Sequence, residues 1–270
     1  MNRNKYQRLY EEEKNLIKNL TLKGNSLRQI SEITDLGITT IYYQVRKFKP
    51  KQKKDFVCNL SDFQIGELIG SFAGDGNFYY SSHGRSGHYR IRYYLSYKDD
   101  MDYSKYLSHL LEMMNLRTNT FFKKYKGKLS VIELVVRSKD FYKFIRKYLI
   151  WEGKKTYSVR LKSYINGYSD DFLRGFVRGL MDTDGFVEIS GVAFGVVSRD
   201  LVLNFEAILS KFNIGSKLSI KPGKGNCKDC YLCRIPRRYL ELYNEIFGFS
   251  NLRKINSLMK ILSKTGTARI

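Results

Sequence analysis

Leu68-Ile69-Gly70-Ser71-Phe72-Ala73-Gly74-Asp75-Gly76 and a second copy, Val177-Arg178-Gly179-Leu180-Met181-Asp182-Thr183-Asp184-Gly185, decide the fold. Each is a short apolar helical run with glycine at its third position, and each ends in Asp-Gly. Ile65 extends the first run upstream, and Phe172, Leu173 and Phe176 extend the second. A glycine inside a helix costs about 1 kcal/mol relative to alanine. That cost is offset where two backbones approach closely, so Gly70 and Gly179 predict a tight helix–helix interface between the copies. Gly76 and Gly185 read as helix stops in a left-handed conformation. Asp75 and Asp184 then fall in the last turn, whose partial negative charge favours Lys or Arg. Two such ends side by side repel unless a cation sits between them. Carboxylates and unsatisfied last-turn carbonyls are the hard oxygen donors that Mg²⁺ takes.

At these residues the chain resembles the LAGLIDADG homing endonucleases in their two-motif, single-chain form, over roughly residues 59–262. The resemblance implies an α+β fold in which two αββαββα repeats form a saddle of antiparallel sheets. It implies that the last aspartate of each motif, Asp75 and Asp184, binds the catalytic metal, Mg²⁺ or Mn²⁺, helped by the carbonyls of Gly74 and Thr183. It also implies hydrolysis of both strands of a DNA duplex across its minor groove, leaving short 3′ overhangs. The first copy departs from the pattern, with Ala73 where the second keeps the inner Asp182.

Composition agrees with a nucleic-acid partner. The 270 residues carry 48 Lys and Arg against 26 Asp and Glu, a net charge of +22. A surplus of that size points to a polyanion and to binding that weakens with salt. No apolar run reaches the roughly 18 residues a membrane span needs. The polar stretch Met1 to Asn15 is neither a signal nor a transit peptide, so an intracellular setting is expected: a prokaryotic or phage-infected cytoplasm, or an organelle matrix. The expected partner is double-stranded DNA with a long, near-palindromic target, bound by a monomer, with intron RNA as a further candidate and no membrane.

Residues 1–48 predict a separate all-α helix–turn–helix module. A first helix runs from about Tyr10 to Leu22 and ends at Gly24; Asn25-Ser26 caps a second helix carrying Leu27, Ile30 and Ile33. Leu36-Gly37 forms the turn, with the glycine left-handed, and a third helix from about Thr39 buries Ile41 and Val45. Its outer face offers Thr39, Thr40, Tyr43, Arg46 and Lys47 to a DNA groove. A packing module without groove contact is the alternative. Residues 49–60 follow as a basic linker, with Pro50 breaking the helix and Lys49, Lys51, Lys53 and Lys54 supplying charge.

The remainder is an internal repeat, residues 61–163 and 164–270. After Asp75 a long hairpin turns at Ser81-Ser82-His83-Gly84. Its return strand alternates: Tyr89, Ile91, Tyr93, Leu95 and Tyr97 on one face, His88, Arg90, Arg92, Tyr94, Ser96 and Lys98 on the other. The second face, with Arg90 and Arg92, suits a sheet lying in a DNA groove. Helices are expected at Tyr103–Met114 and Lys139–Tyr148, around a hairpin turning at Lys126-Gly127. The second copy repeats this order with a shorter first hairpin at Ser190-Gly191, and with Lys217, Ser219 and Lys221 on one strand face. Lys98 matches Arg199, and Lys155 matches Lys254; the spacings agree to within two residues. The family resemblance implies that these four cations surround the scissile phosphates, Lys98 and Arg199 near the metals and Lys155 and Lys254 at the mouth of the site.

Cys227, Cys230 and Cys233 form a CxxCxxC run. A structural zinc site takes four ligands, so an incidental loop is expected rather than zinc. Three functions compete: a site-specific homing endonuclease, an intron RNA maturase, and a non-cleaving transcription regulator on the same fold. Retention of both motif aspartates favours the first. The terminal Ala268-Arg269-Ile270 lacks the His-Asn that protein splicing uses, so an intein is not expected.

Overall fold

A computed structural model describes residues 9–49, 55–83, 86–225 and 227–266. The expectations placed on Pro50, Lys51, Lys53, Lys54, Gly84 and the terminal tripeptide lie outside the described residues. The chain divides into two compact units, Met1–Lys54 and Asp55–Ile270.

The first unit holds helices α1 (Glu11–Leu22), α2 (Leu27–Thr34) and α3 (Ile38–Phe48). Ser26 caps α2 by accepting from Gln29 N, while Gln29 Oε1 accepts from Ser26 N at 2.8 Å. Ile17, Ile30, Leu36 and Ile41 form its small core. Two expectations need correction. Ile33 is 57 % exposed rather than packed, because the inward stripe of so short a helix is filled by Ile30. The left-handed residue between α2 and α3 is Asp35 (φ 52°), whereas Gly37 is extended (φ −60°) and caps α3.

The second unit starts before the expected boundary. Phe56 packs against Phe144 with tilted rings, centroids 5.5 Å apart, and Leu60 is buried. Apolar residues thus pull the last part of the supposed linker onto the core. The order is then α4 (Asp62–Asp75), β1 (Gly76–His83), β2 (Ser86–Ser96), α5 (Met101–Met113), β3 (Thr118–Tyr125), β4 (Lys128–Val136) and α6 (Lys139–Tyr148). A short ribbon of β5 (Leu149–Ile150) and β6 (Arg160–Leu161) brackets the single-turn α7 (Lys155–Ser158). The series recurs as α8 (Asp170–Thr183), β7 (Gly185–Glu188), β8 (Gly191–Val196), α9 (Arg199–Lys211), β9 (Lys217–Lys221), β10 (Cys230–Pro236) and α10 (Leu240–Ile246), followed by α11 (Leu252–Gly266). Both αββαββα repeats are therefore present. Their antiparallel sheets have the same order, β1-β2-β4-β3 and β7-β8-β10-β9. Lys126 (φ 48°) and Gly127 (φ 79°) make the tight turn between β3 and β4.

Strand register sets the two halves in correspondence. Tyr93 lies opposite Gly76, and Phe194 lies opposite Gly185. Five residues beyond each stand Lys98 and Arg199. Ile91, Tyr93 and Leu95 are buried against the helices, while Arg90, Arg92 and Tyr94 occupy the other face. The strand ends at Ser96, so Tyr97 and Lys98 fall in the turn before α5 rather than on the face.

Candidate active site

The two motif helices meet along glycine. Ser61 and Ser169 cap α4 and α8, and Ser169 Oγ donates to Asp62 Oδ2 at 2.6 Å, tying the two N-termini together. A Cβ on Gly70 would overlap the Phe176 carbonyl and stand 3.0 Å from Leu180 N. One on Gly179 would overlap the Glu67 carbonyl and stand 2.7 Å from Ser71 N. Gly66 and Gly175 are packed in the same way against Phe172 and Phe63. These two were missed in the sequence, although they lie four residues before Gly70 and Gly179, the spacing that stacks residues on one helix face. Gly76 and Gly185 end the helices without a left-handed turn. Gly76 has φ −72°, and a Cβ on either would strike its own helix, at Phe72 and Met181 respectively.

The crossing brings both C-termini together. A Cβ on Gly74 would stand 2.8 Å from Asp184 Oδ2 and would collide with the Thr183 hydroxyl. Burial, and then the Asp184 carboxylate, push Asp75 up to about 7, against the pull of Lys254 and Lys155. Burial also raises Asp184, again opposed by Lys155 and Lys254. The two acids thus sit close enough to repel in a desolvated place.

Two lysines, not at the mouth but on the helix ends themselves, answer the negative potential. Lys155 Nζ donates to the carbonyls of Phe72, Ala73 and Gly74 at 2.9, 2.6 and 2.8 Å. Lys254 Nζ donates to those of Met181, Asp182 and Thr183 at 2.7, 2.8 and 3.0 Å. Each ammonium gives all three of its protons to last-turn carbonyls, of which that of Phe72 also accepts from Gly76 N. Lys254 is only 2 % exposed. Burial pushes Lys155 down to about 8, with Asp184 and Asp75 opposing, and pushes Lys254 down too, chiefly against Asp182. The cation required between the helix ends is therefore supplied in part by the chain. The family resemblance put Lys155 and Lys254 at the mouth of the site, whereas α7 and α11 carry them onto the helix ends; Lys98 lies in the turn after β2, and Arg199 opens α9. Lys98 lines a polar cleft of about 490 Å³ with Asn251, Arg253 and Asn256, and Arg199 rims an apolar cavity with Leu203, Leu218 and Ile220. Among the described residues, neither is ion-paired with Asp75 or Asp184.

Behind the pair lies a buried polar layer, of which only Asp182 stands out along the chain. Asp182 accepts from the amides of Ser250 and Asn251 at 3.0–3.1 Å, and Asn251 Nδ2 donates to Asp100 at 2.7 Å. Glu67, fully buried in α4, accepts from Tyr106 Oη at 2.7 Å. Burial raises the pKa of both acids. Only a heptad-like inward position could have flagged Glu67, and a lone acid there reads equally as surface.

Two carboxylates from abutting helix ends, beside the Gly74 and Thr183 carbonyls, form an oxygen-only donor set suited to Mg²⁺ or Mn²⁺, whose remaining positions water and phosphate would fill. Those carbonyls already accept one lysine proton each, leaving one lone pair apiece. No cluster of three or more His, Cys, Asp or Glu occurs among the described residues. Cys230 and Cys233 lie three apart on β10 and so point to opposite faces, which keeps them from sharing an ion.

The outward faces of the sheets differ. On the first, Arg92 donates to Asn77 Oδ1 at 2.9 Å and pairs with Glu133 at 3.5 Å, and Lys123 pairs with the same carboxylate at 2.7 Å. Burial raises Glu133, but Lys123, Tyr94 and Arg92 outweigh it and hold it below its usual range. Arg92 is thus engaged within the protein rather than freely offered, while Arg90 has no ion pair among the described residues. On the second sheet Ala193 and Gly195 replace Arg92 and Tyr94, and Arg234 pairs with Glu188. Lys217 and Lys221 are exposed on the edge strand β9. On α3, Thr39, Thr40, Tyr43 and Lys47 are exposed, and Arg46 folds back to Tyr42 Oη at 3.1 Å.

Residues 171–257 match the LAGLIDADG-like domain family. The chain carries the LAGLIDADG fold in two copies. The crystal structure of I-DmoI in complex with DNA and Ca superposes with a TM-score of 0.56 at 14 % identity, over 74 % of this chain and 98 % of that one. Its complex with DNA and Mn gives 0.52 at 16 %, over 69 % and 97 %. Full-length DUF199/WhiA from Thermatoga maritima gives 0.50 at 14 %, over 77 % and 63 %. Among curated sequences, the replication factor C small subunit of Methanocaldococcus jannaschii is 32 % identical over 131 residues, 48 % of this chain but only 7 % of that protein's length. An uncharacterized protein of the same organism is 24 % identical over 218 residues, 78 % of this chain and 74 % of that protein. No helix among the described residues is long and apolar enough to cross a membrane.

Proposed function

We propose that this LAGLIDADG chain is a site-specific endodeoxyribonuclease that hydrolyses both strands of a DNA duplex with a divalent cation, Mg²⁺ or Mn²⁺. The observation that carries this reading is the meeting of Asp75 and Asp184 at two lysine-capped helix ends, with Asp75 raised to about 7. A bound cation would supply Lewis acidity to the phosphodiester and its attacking water. The chain's residues do the rest. Asp75 and Asp184 hold one acid per strand; the Gly66–Gly70–Gly74 face brings them together; Lys155 and Lys254 offset the helix-end potential and keep the carbonyls of Gly74 and Thr183 in place. Lys98 and Arg199, at matched register in the two halves, are available to phosphates outside the pair. The first unit would add contacts through α3, with Thr39, Thr40, Tyr43 and Lys47 towards a major groove.

The faces of the two sheets do not support a near-palindromic target. Arg92 and Tyr94 correspond in register to Ala193 and Gly195, and Glu133 corresponds to Leu232. Such faces would read two unlike half-sites, as suits a single chain acting as a monomer.

The test is a plasmid pool with randomised inserts, incubated with Mg²⁺ and scored for linear product. Asp75→Asn and Asp184→Asn should each abolish linearisation, and the double variant should still bind duplex DNA. Full cutting by the double variant would refute the assignment of the pair. Binding without cutting by the wild-type chain would replace the nuclease with a non-cleaving DNA binder. Preference for structured RNA over duplex DNA would favour the maturase.

A further inference from the structure

At the far end of the first sheet, beyond the last rung of β2 and β4, lies a cavity of about 170 Å³ lined by His88, Arg90, Arg137, Ser138 and Lys139 together with Gly87 and Tyr89. Arg90 faces outward beside Tyr79 on β1. Arg137 directly follows the Ile91–Val136 pair, and Lys139 begins α6. Ser138 caps that ten-residue helix by accepting from Phe141 N at 3.1 Å, so the positive end of the helix also points here. Lys139 Nζ rests 5.9 Å from the Tyr89 ring.

Among the described residues, Arg90, Arg137 and Lys139 have no carboxylate partner. Asp140, the next residue, lines a separate cavity with Lys143 and Lys147. Three cations lining one cavity of this size without a carboxylate partner repel one another, less so as salt rises. A phosphate would relieve that repulsion, with arginine forks and a helix N-terminus as its donors. Among the described residues, the two arginines that line it do not recur in the second repeat. The residues in register there are Gly191 for Arg90 and Pro236 for Arg137, paired with each other.

We infer that this cavity is a subsite for one backbone phosphate of duplex DNA, on the first-repeat side only. The inference rests on the DNA reading above and extends the sheet face past Arg90, at its far end. It assigns Arg137 and Lys139, which no motif marks, a positioning role: they fix how far the duplex extends past the first sheet. They would not touch the scissile bonds.

The test is binding of a random-sequence DNA duplex by the full chain, without divalent cation so that neither strand is cut, across a salt series. Each phosphate contact contributes about 0.9 to the slope of log affinity against log salt. Arg137→Ala/Lys139→Ala should flatten the slope by about one unit and weaken binding several-fold at low salt. Lys105→Ala, an exposed lysine paired with Asp102, is the control for loss of a positive charge. Both changes in the double variant fall on exposed side chains, and an unchanged circular dichroism melt would verify folding. A double-variant slope equal to that of wild type would overturn the subsite and leave the DNA reading standing. Absence of salt-dependent duplex binding by wild type would overturn both.

Discussion

At the end of α4 three carbonyls accept from Lys155, and at the end of α8 three carbonyls accept from Lys254, yet the supports behind the two lysines differ. Lys155 rides on the four-residue α7, held by the β5–β6 ribbon. Lys254 rides on the fifteen-residue α11, whose start is pinned by Asp182 through the amides of Ser250 and Asn251. Ala73 stands where Asp182 would be, so the first half has no such tether. The sheets diverge in the same sense, with Arg92, Tyr94 and Glu133 answered by Ala193, Gly195 and Leu232. The helix ends are matched because each must quiet the same three carbonyls and one carboxylate. The surroundings are free to differ because any scaffold that delivers an ammonium will serve.

The comparison can be broken most severely at the lysines. Removing a buried cation leaves acids and carbonyls uncompensated, and costs about 3–5 kcal/mol. Lys254→Met should approach that loss in urea unfolding, and Lys155→Met should fall short of it because its short helix is more exposed. Equal losses would mean that the supports do not matter. Next in size is Asp182→Ala, which strips two buried amides of their acceptor and should cost about 1–3 kcal/mol. Ala73→Asp should not confer any stability, since no amides await the carboxylate there. A gain in melting temperature from that change would show a tether hidden in the first half.

A smaller effect is expected in the pH dependence of stability. Asp75 is held up to about 7 in the fold and has an ordinary value of 3.8. Between about pH 4 and 7 the unfolded chain has released this proton while the folded chain keeps it, so stability falls as pH rises through that window and levels off above it. Metal-free urea midpoints should show this decline, and Asp75→Asn should reduce it. The slope that remains belongs to Asp184, Asp182 and Glu67, all also raised by burial. An unchanged slope in the variant would place the proton elsewhere. The mildest change sharpens the contrast between the sheets. Glu133→Gln frees Arg92 and Lys123 from their shared carboxylate and should tighten duplex binding about twofold to fivefold in a low-salt titration. Leu232→Glu on the other sheet should weaken it by a similar factor.

Much of this architecture is legible along the chain because its causes are local. Asn25-Ser26 announces the start of α2, Lys126-Gly127 can be little other than a tight turn, and the alternation from Tyr89 to Ser96 tells one face of β2 from the other. The doubled motif gives the pairing of α4 with α8, since glycine has few other uses inside an apolar helix. The site was less legible. Asp75 and Asp184 stand out, but the family resemblance puts Lys98 and Arg199 ahead of Lys155 and Lys254, and strand alternation offers Arg92 to solvent without its partner Glu133, forty-one residues on. The left-handed residue at the α2–α3 turn was misassigned to Gly37 for a related reason: propensity favours glycine there, and Asp35 tolerates the same conformation.

The amino-acid sequence by itself determined the order of the elements, the twofold repeat and the two acids at the ends of the motif helices, because hydrophobic period, caps and glycine act over a few neighbouring residues. Only the tertiary structure decided which cations meet those acids, which carboxylates are buried, and which arginines remain unpaired. Those outcomes depend on groups some seventy to eighty residues apart arriving within 3 Å of one another, and a charged side chain keeps no record, in its own neighbourhood, of the distant partner it will find.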